Sequence, residues 1–280
     1  MKLIGVDLGG TKITAALIED DKIVKQFTSL TPFDRGKIIV IDEIKKVISE
    51  VYDPEILGIG IGIPGLIDLH NKVVIDLVNI PSLNDVPLMQ ILEDHFQKPV
   101  YANNDANCFA LGEKYFGKGK GYRNFIGMTF GTGLGAGIII NDHLYPGNYC
   151  GAGEFGSLPY RNKTVEAFAS GQFFKDQNLS GSEMYIRAME GNEKALLLFE
   201  EFGMHIGRSI SNVLLALAPE AVILGGSVIN SFPLFERSMK AVLEDEFPYQ
   251  KLLQSVKIEC SELKNSAVFG AASLVMDVVQ

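Results

Sequence analysis

"LIGVDLGGTKITAALIED", Leu3 to Asp20, decides the fold. An apolar run, Leu3–Val6, ends in Asp7. Gly9, Gly10, Thr11 and Lys12 follow, and a second apolar run spans Ile13–Ile18. Short apolar runs separated by two glycines read as two strands joined at a tight turn. A second copy lies further along the chain. "FIGMTFGTGLGAGIIINDHLY" (125–145) lies over residues 3–23 without a gap. Ile4 meets Ile126, Gly5 meets Gly127, Gly9 meets Gly131 and Asp20 meets Asp142. A shorter echo sets "IGIPGLI" (61–67) beside "ILGGSVI" (223–229), each a buried strand opening into glycines. The pattern predicts a duplicated β-β-β-α-β-α unit. Its second copy carries insertions, including a long helix over about Glu193–Leu217.

Outward from this stretch, strands are expected at Lys2–Val6, Ile13–Ile18, Lys22–Thr28, Ile56–Ile63, Val73–Leu77 and Pro99–Asn103. Helical spacing of Ile38, Ile41, Ile44, Val47, Ile48 and Val51 predicts a helix over Gly36–Val51. Further helices are expected at Val86–Phe96, Asp105–Phe116 and Ala267–Val279. A duplicated α/β unit makes two lobes with an interlobe cleft, the usual place for a small ligand. The expected lobes are residues 1–117 and 118–266, with a flexible hinge at "GKGKG" (117–121) and the terminal helix, 267–279, returning to the first lobe.

Composition narrows the function classes. The chain has 280 residues, enough for two medium domains with a sizeable core. A formal net charge of -9 argues against a nucleic-acid surface. Three scattered cysteines, Cys108, Cys150 and Cys260, fit a reducing cytoplasm without a disulfide framework. No apolar h-region follows a basic start, and no uncharged apolar run reaches membrane-spanning length. The expectation is a cytoplasmic protein with no membrane and no nucleic-acid partner.

Three clusters carry chemistry. The first is the pair of glycine turns, "DLGGTK" (7–12) and "FGTGLGAG" (130–137). Glycine lets backbone amides approach an anion closely, so two such loops can hold a phosphate chain from both sides. Asp7 is useful beside phosphates only if a cation lies between, which points to Mg²⁺ held through water. The plainer alternative is two glycine hairpins with an Asp that caps a turn. Neither loop is a P-loop, and Gly9–Gly10 lead into a strand and not the helix of a dinucleotide fold.

The second cluster is "NNDAN" (103–107), between a strand and a helix. Asp105 stands at the expected N-cap, where it either caps the helix or accepts a proton from a substrate hydroxyl. The neighbouring side-chain amides suit a hydroxyl-rich ligand. In the third cluster, Glu154 sits among glycines and Glu166 starts a helix. They either chelate vicinal sugar hydroxyls or are a turn glutamate and a first-turn glutamate.

Together these motifs resemble the ROK family of sugar kinases and related repressors, in the actin-like ATPase superfamily. The likeness rests on "DLGGTK", "GIGIPG" (60–65), "NNDAN", "GTGLGAGI" (131–138), "GAGEFG" (151–156) and "LGGSV" (224–228) and covers nearly the whole chain. It implies a two-lobed, duplicated actin-like (ribonuclease H-like) α/β fold and an ATP- and Mg²⁺-dependent hexose kinase, usually a homodimer. Asp105 is then the catalytic base. Asn104, Glu154 and Glu166 contact sugar hydroxyls, and Gly65 lines the sugar pocket through its backbone. Gly9, Gly10, Thr11 and Lys12 form one phosphate loop and Gly131, Thr132 and Gly133 the other, while Gly225 and Gly226 border the adenosine. Glucose, phosphorylated at O6, is the first expectation; fructose, N-acetylated amino sugars or a glycoside come next.

Two departures stand out. The family's zinc-binding histidine is Ser157 here, and "LPYRNKTVE" (158–166) has none of the family's zinc cysteines, so no zinc is expected. The repressor branch adds an N-terminal helix-turn-helix, for which a motif starting at Asp7 leaves no room. A sugar-sensing, non-catalytic member without a DNA-binding domain is the alternative.

Overall fold

A computed structural model of the chain describes residues 1–77 and 79–279, the last in its backbone alone. The first copy of the repeat contains strands β1 (Lys2–Leu8), β2 (Lys12–Glu19) and β3 (Lys22–Leu30), then helix α1 (Lys37–Val51). Strands β4 (Ile59–Ile63), β5 (Leu66–Asp68) and β6 (Val73–Asp76) lead to α2 (Leu88–Phe96), β7 (Val100–Asn104) and α3 (Asp105–Phe116). The second copy starts with β8 (Phe125–Phe130), β9 (Leu134–Ile140) and β10 (His143–Leu144). A short hairpin, β11 (Pro159–Tyr160) and β12 (Lys163–Thr164), precedes helices α4 (Val165–Ala169), α5 (Gln172–Lys175), α6 (Gly181–Met189) and α7 (Glu193–Leu217). The chain closes with β13 (Ala221–Gly225), α8 (Phe232–Glu246), α9 (Gln250–Ser255), β14 (Lys257–Cys260) and α10 (Ser266–Val279).

The duplication is visible in the sheets. One has the order β3-β2-β1-β4-β7 and the other β10-β9-β8-β13-β14. In the first, β1 runs antiparallel to β2 and parallel to β4, which runs parallel to β7. In the second, β13 is parallel to both β8 and β14. The central parallel strands β4 and β13 are buried throughout, as their glycine-flanked apolar runs require. The chain divides into two compact units: Met1–Arg123 with Gly137–Ala152 and the chain from Glu262 onward, and Asn124–Ala136 with Gly153–Ser261.

In the first unit, α1 buries Val40, Ile41, Ile44, Val47, Ile48 and Val51. Ile38, read from its spacing as a core position, is 69% exposed, and Val40 takes its place. Each aliphatic side chain fully buried here contributes roughly 1.5–3 kcal/mol over an exposed one. Strand β4 starts at Ile59 and not at Ile56, because the Ile56 amide donates to Asp53 O in a turn. Helix α2 starts at Leu88, after Pro87. Helix α10 packs on α3, β1 and β4. Its approach is close enough that a Cβ at Gly5 would lie 1.9 Å from Val268 O, and one at Gly60 1.8 Å from Ala271 O. The "GKGKG" segment is a 3₁₀ turn inside this unit, Lys118–Gly121, with the Lys118 amide donating to Glu113 Oε2 at 2.9 Å. In the second unit, the long helix α7 packs along α8.

Candidate active site

The first unit presents the β1–β2 turn. The Gly9 amide donates to Lys12 O at 3.0 Å, and Thr31 Oγ1 donates to Gly9 O at 2.6 Å. The side-chain bond from β3's end fixes a turn that two glycines would otherwise leave loose. Asp7, the penultimate residue of β1, borders a small recess with Lys12, Thr14 and Thr28. Burial pushes its carboxyl above the usual range, and the nearby Lys12 charge pulls the other way.

At the end of β7, the asparagines and the aspartate take separate roles. Asn104, not Asp105, is the N-cap of α3; its Oδ1 accepts the Ala106 amide at 2.9 Å. Asp105 is the first helical residue, one position later than its spacing suggested, with an exposed side chain whose Oδ1 also accepts the Ala106 amide. Asn104 Nδ2 donates to Gly65 O at 3.4 Å, which joins the strand end to the turn after β4. A Cβ at Gly65 would lie 2.0 Å from Asp76 O, so this turn has no room for another residue. Beneath them, buried Asn103 accepts from the Asn104 amide and from Asn107 Nδ2, both at 2.9 Å. Asn103, read with Asn104 as an amide suited to a hydroxyl-rich ligand, is instead buried with its oxygen bonded inside the protein, and Asn107 was not singled out beyond its place in the "NNDAN" motif. Their signal was two amides set among Ala102, Ala106, Cys108 and Phe109.

In the second unit, the glycine loop closes on itself: the Gly131 amide donates to Gly133 O at 2.9 Å. Segment 166–171 holds it from outside. The Leu134 amide donates to Glu166 Oε2 at 2.8 Å, the Gly171 amide donates to Gly131 O at 2.8 Å, and Ser170 Oγ donates to Thr132 O at 3.1 Å. Ser170 and Gly171 went unread in the sequence, because their partners lie about 40 residues away along the chain and no local pattern marks them. A cavity of about 720 Å³ opens beside the loop, lined by Gly131, Thr132, Phe174, Ser180, Tyr185 and Ser227 among others. Gly226 lies at the end of β13 with φ +87°, and a Cβ there would meet Phe130 O at 2.3 Å. Both its conformation and its surroundings require glycine. Gly225 is the last residue of β13, paired with Thr129.

Glu154 is exposed just before the 3₁₀ turn Phe155–Ser157, and Ser157 Oγ donates to its Oε2 at 3.4 Å. The loop between the two glutamates is anchored by Tyr160. Its hydroxyl is 3.0 Å from His205 Nδ1, and its ring meets Phe168 edge-on at 5.4 Å. Burial, then the Arg161 charge, holds the His205 imidazole below its ordinary pKa. Leu158, in the same loop, is 40% exposed. Among the described residues, no group of three or more His, Cys, Asp and Glu side chains could hold a metal ion. No helix there is long and apolar enough to cross a membrane.

Two five-stranded sheets of matching order, each entered through a glycine hairpin, make this a mixed α/β protein of the actin-like ATPase fold. The chain belongs to the ROK family, whose sequence profile matches residues 3–278. It is 30% identical to a glucokinase of Thermotoga maritima, over 99% of this chain and 98% of that one. It is 31% identical to a xylose repressor of Bacillus subtilis, over 98% of this chain and 77% of that one. A solved ROK family glucokinase from Streptomyces griseus, in complex with glucose and AMPPNP, superposes with a TM-score of 0.80 at 27% identity. That match covers 98% of this chain and 99% of the other.

Proposed function

We propose that the protein is an ATP-dependent sugar kinase that phosphorylates a hexose hydroxyl, with glucose at O6 as the first substrate to try. The observation that carries this reading is the division of labour at α3. Asn104 serves as the cap, so the Asp105 carboxylate is not needed to start the helix. An exposed carboxylate beside side-chain amides and a backbone carbonyl suits a polyol. In this reading Asp105 accepts the proton from the sugar hydroxyl as its oxygen attacks the γ-phosphate. Asn104, Gly65, Glu154 and Glu166 fix the other hydroxyls. The loops Gly9–Lys12 and Gly131–Gly133 receive the phosphates, and Gly225 and Gly226 border the adenosine, in keeping with the cavity that runs past Ser227.

Asp7 fits a magnesium ion. Mg²⁺ is usually held by one or two carboxylates together with substrate phosphates, and a desolvated carboxyl is one that a cation would relieve. When bound with the nucleotide it would offset charge on the phosphate oxygens. We propose no zinc, since Tyr160, Phe168 and His205 already pack the loop between the glutamates. A cytoplasmic homodimer is part of the same proposal.

The repressor relative favours a second reading, a sugar sensor that binds without turnover. A thermal-shift screen against hexoses, amino sugars and disaccharides identifies the sugar, because a ligand of the folded state raises its stability. Mass spectrometry of that sugar after incubation with ATP and Mg²⁺ then separates the readings. A phosphorylated product supports the kinase; an unmodified sugar supports the sensor.

A further inference from the structure

We infer that Glu166 is a positioning residue for the nucleotide as well as a sugar contact: one of its oxygens sets the shape of the second glycine loop. This inference rests on the kinase reading. The Leu134 amide donates to Glu166 Oε2 at 2.8 Å, at the point where the loop passes into β9. A charge-assisted bond of this kind is roughly twice as strong as a neutral one. The carboxylate lies so close to the loop that a Cβ on Gly133 would come within 2.4 Å of Oε2. Gly133 is therefore the space that Glu166 fills.

Two further bonds from the same segment grip the loop. The Gly171 amide donates to Gly131 O at 2.8 Å, and Ser170 Oγ donates to Thr132 O at 3.1 Å. Ser170 is fully buried and also accepts the Gln172 amide, so its position is set from both sides. These two bonds turn the carbonyls of Gly131 and Thr132 toward segment 166–171, while the Glu166 bond fixes the Leu134 amide at the loop's end. A phosphate needs amides and is repelled by carbonyl oxygens, so fixing the carbonyls elsewhere prepares the loop for an anion. With Oε2 committed to Leu134, Glu166 has Oε1 for a sugar hydroxyl. A sugar that draws on this carboxylate then acts on the same group that shapes the phosphate loop. Sugar and nucleotide affinities become coupled through one side chain, reciprocally.

The test measures AMPPNP affinity by calorimetry in the absence of sugar, for wild type, Glu166→Ala, Glu166→Gln and Ser170→Ala. Glutamine keeps a carbonyl that can accept the Leu134 amide; alanine does not. We expect Glu166→Ala to bind AMPPNP about tenfold more weakly, and Glu166→Gln to recover most of that loss. Ser170→Ala should fall between wild type and Glu166→Ala. Amide hydrogen exchange on the same proteins, free of ligand, supplies a readout that does not depend on binding. Residues 131–134 should exchange faster in Glu166→Ala and near wild-type rates in Glu166→Gln, while β13 stays protected in both. Unchanged AMPPNP affinity and unchanged exchange in Glu166→Ala, with only sugar affinity lost, overturn this inference and leave the kinase reading standing. Wild-type protein that binds no nucleotide overturns both.

Discussion

At the start of α3 the cap and the exposed carboxylate are different residues, which makes Asp105 separable from the fold. Asparagine at 105 keeps an oxygen for the Ala106 amide, which the aspartate accepts. It cannot accept a proton. Asp105→Asn is expected to fold normally and to bind sugar, with turnover reduced on the order of 10²–10⁴-fold. Steady-state kinetics alongside sugar titration checks this; wild-type turnover would leave Asp105 a helix residue only. Asp7 poses the reverse case. Burial raises its carboxyl pKa in the folded state. The protonated form is thus favoured by folding, and the ionised form costs stability once the pH rises through the raised value. Asp7→Asn removes that cost. Its urea midpoint should exceed wild type at pH 7, the difference fading as the pH falls from the raised value toward about 3.9 and absent below it, while Mg²⁺-dependent activity falls. A variant less stable than wild type at pH 7 would mean that Lys12 more than offsets the burial.

At the scale of elements, close backbone approach does much of the positioning. Helix α10 lies against β1 and β4 only because Gly5 and Gly60 lack side chains. Gly60→Val should push the helix away and cost about 1–3 kcal/mol or more in urea unfolding. Gly121→Ala, with open space around it, should cost little and serves as the control. The hairpin β11–β12 is held by Tyr160, Phe168 and His205. Metal analysis of protein purified without chelator should therefore find no stoichiometric zinc, and Mg²⁺ alone should restore activity after EDTA. Near-stoichiometric zinc would contradict the packing account of this loop.

The elements also show what a sequence can carry. The glycine hairpins and the long helix α7, Glu193–Leu217, stand where periodicity put them. Starts and edges shifted where one hydrogen bond decides. Ile56 turned out to sit in a turn, and the cap of α3 fell one residue earlier than Asp105. The grip of Glu166, Ser170 and Gly171 on the loop was illegible. Glu166 and its amide partner lie 32 residues apart, and nothing local in "VEAFASG" indicates what its oxygens will meet.

Over the whole molecule, the repeat is the organising fact. Shifting residues 3–23 onto 125–145 superimposes β1 on β8 and the start of β2 on the start of β9. The two sheets share one strand order, so a likeness first seen in glycines extends to topology. Each unit carries a glycine loop, while Asp105, the base in the kinase reading, belongs to the first. In that reading the two loops grip the phosphates and one base serves the acceptor. It leaves the identity of the sugar to a few hydrogen bonds. The central claim is that sugar binding leads to transfer. The most direct measurement is ADP release from ATP and Mg²⁺, with and without a saturating concentration of the sugar that most raises the melting temperature. Sugar-dependent ADP formation, matched mole for mole by sugar phosphate and lost in Asp105→Asn, is the predicted result. Saturable sugar binding with no increase in ADP would contradict it.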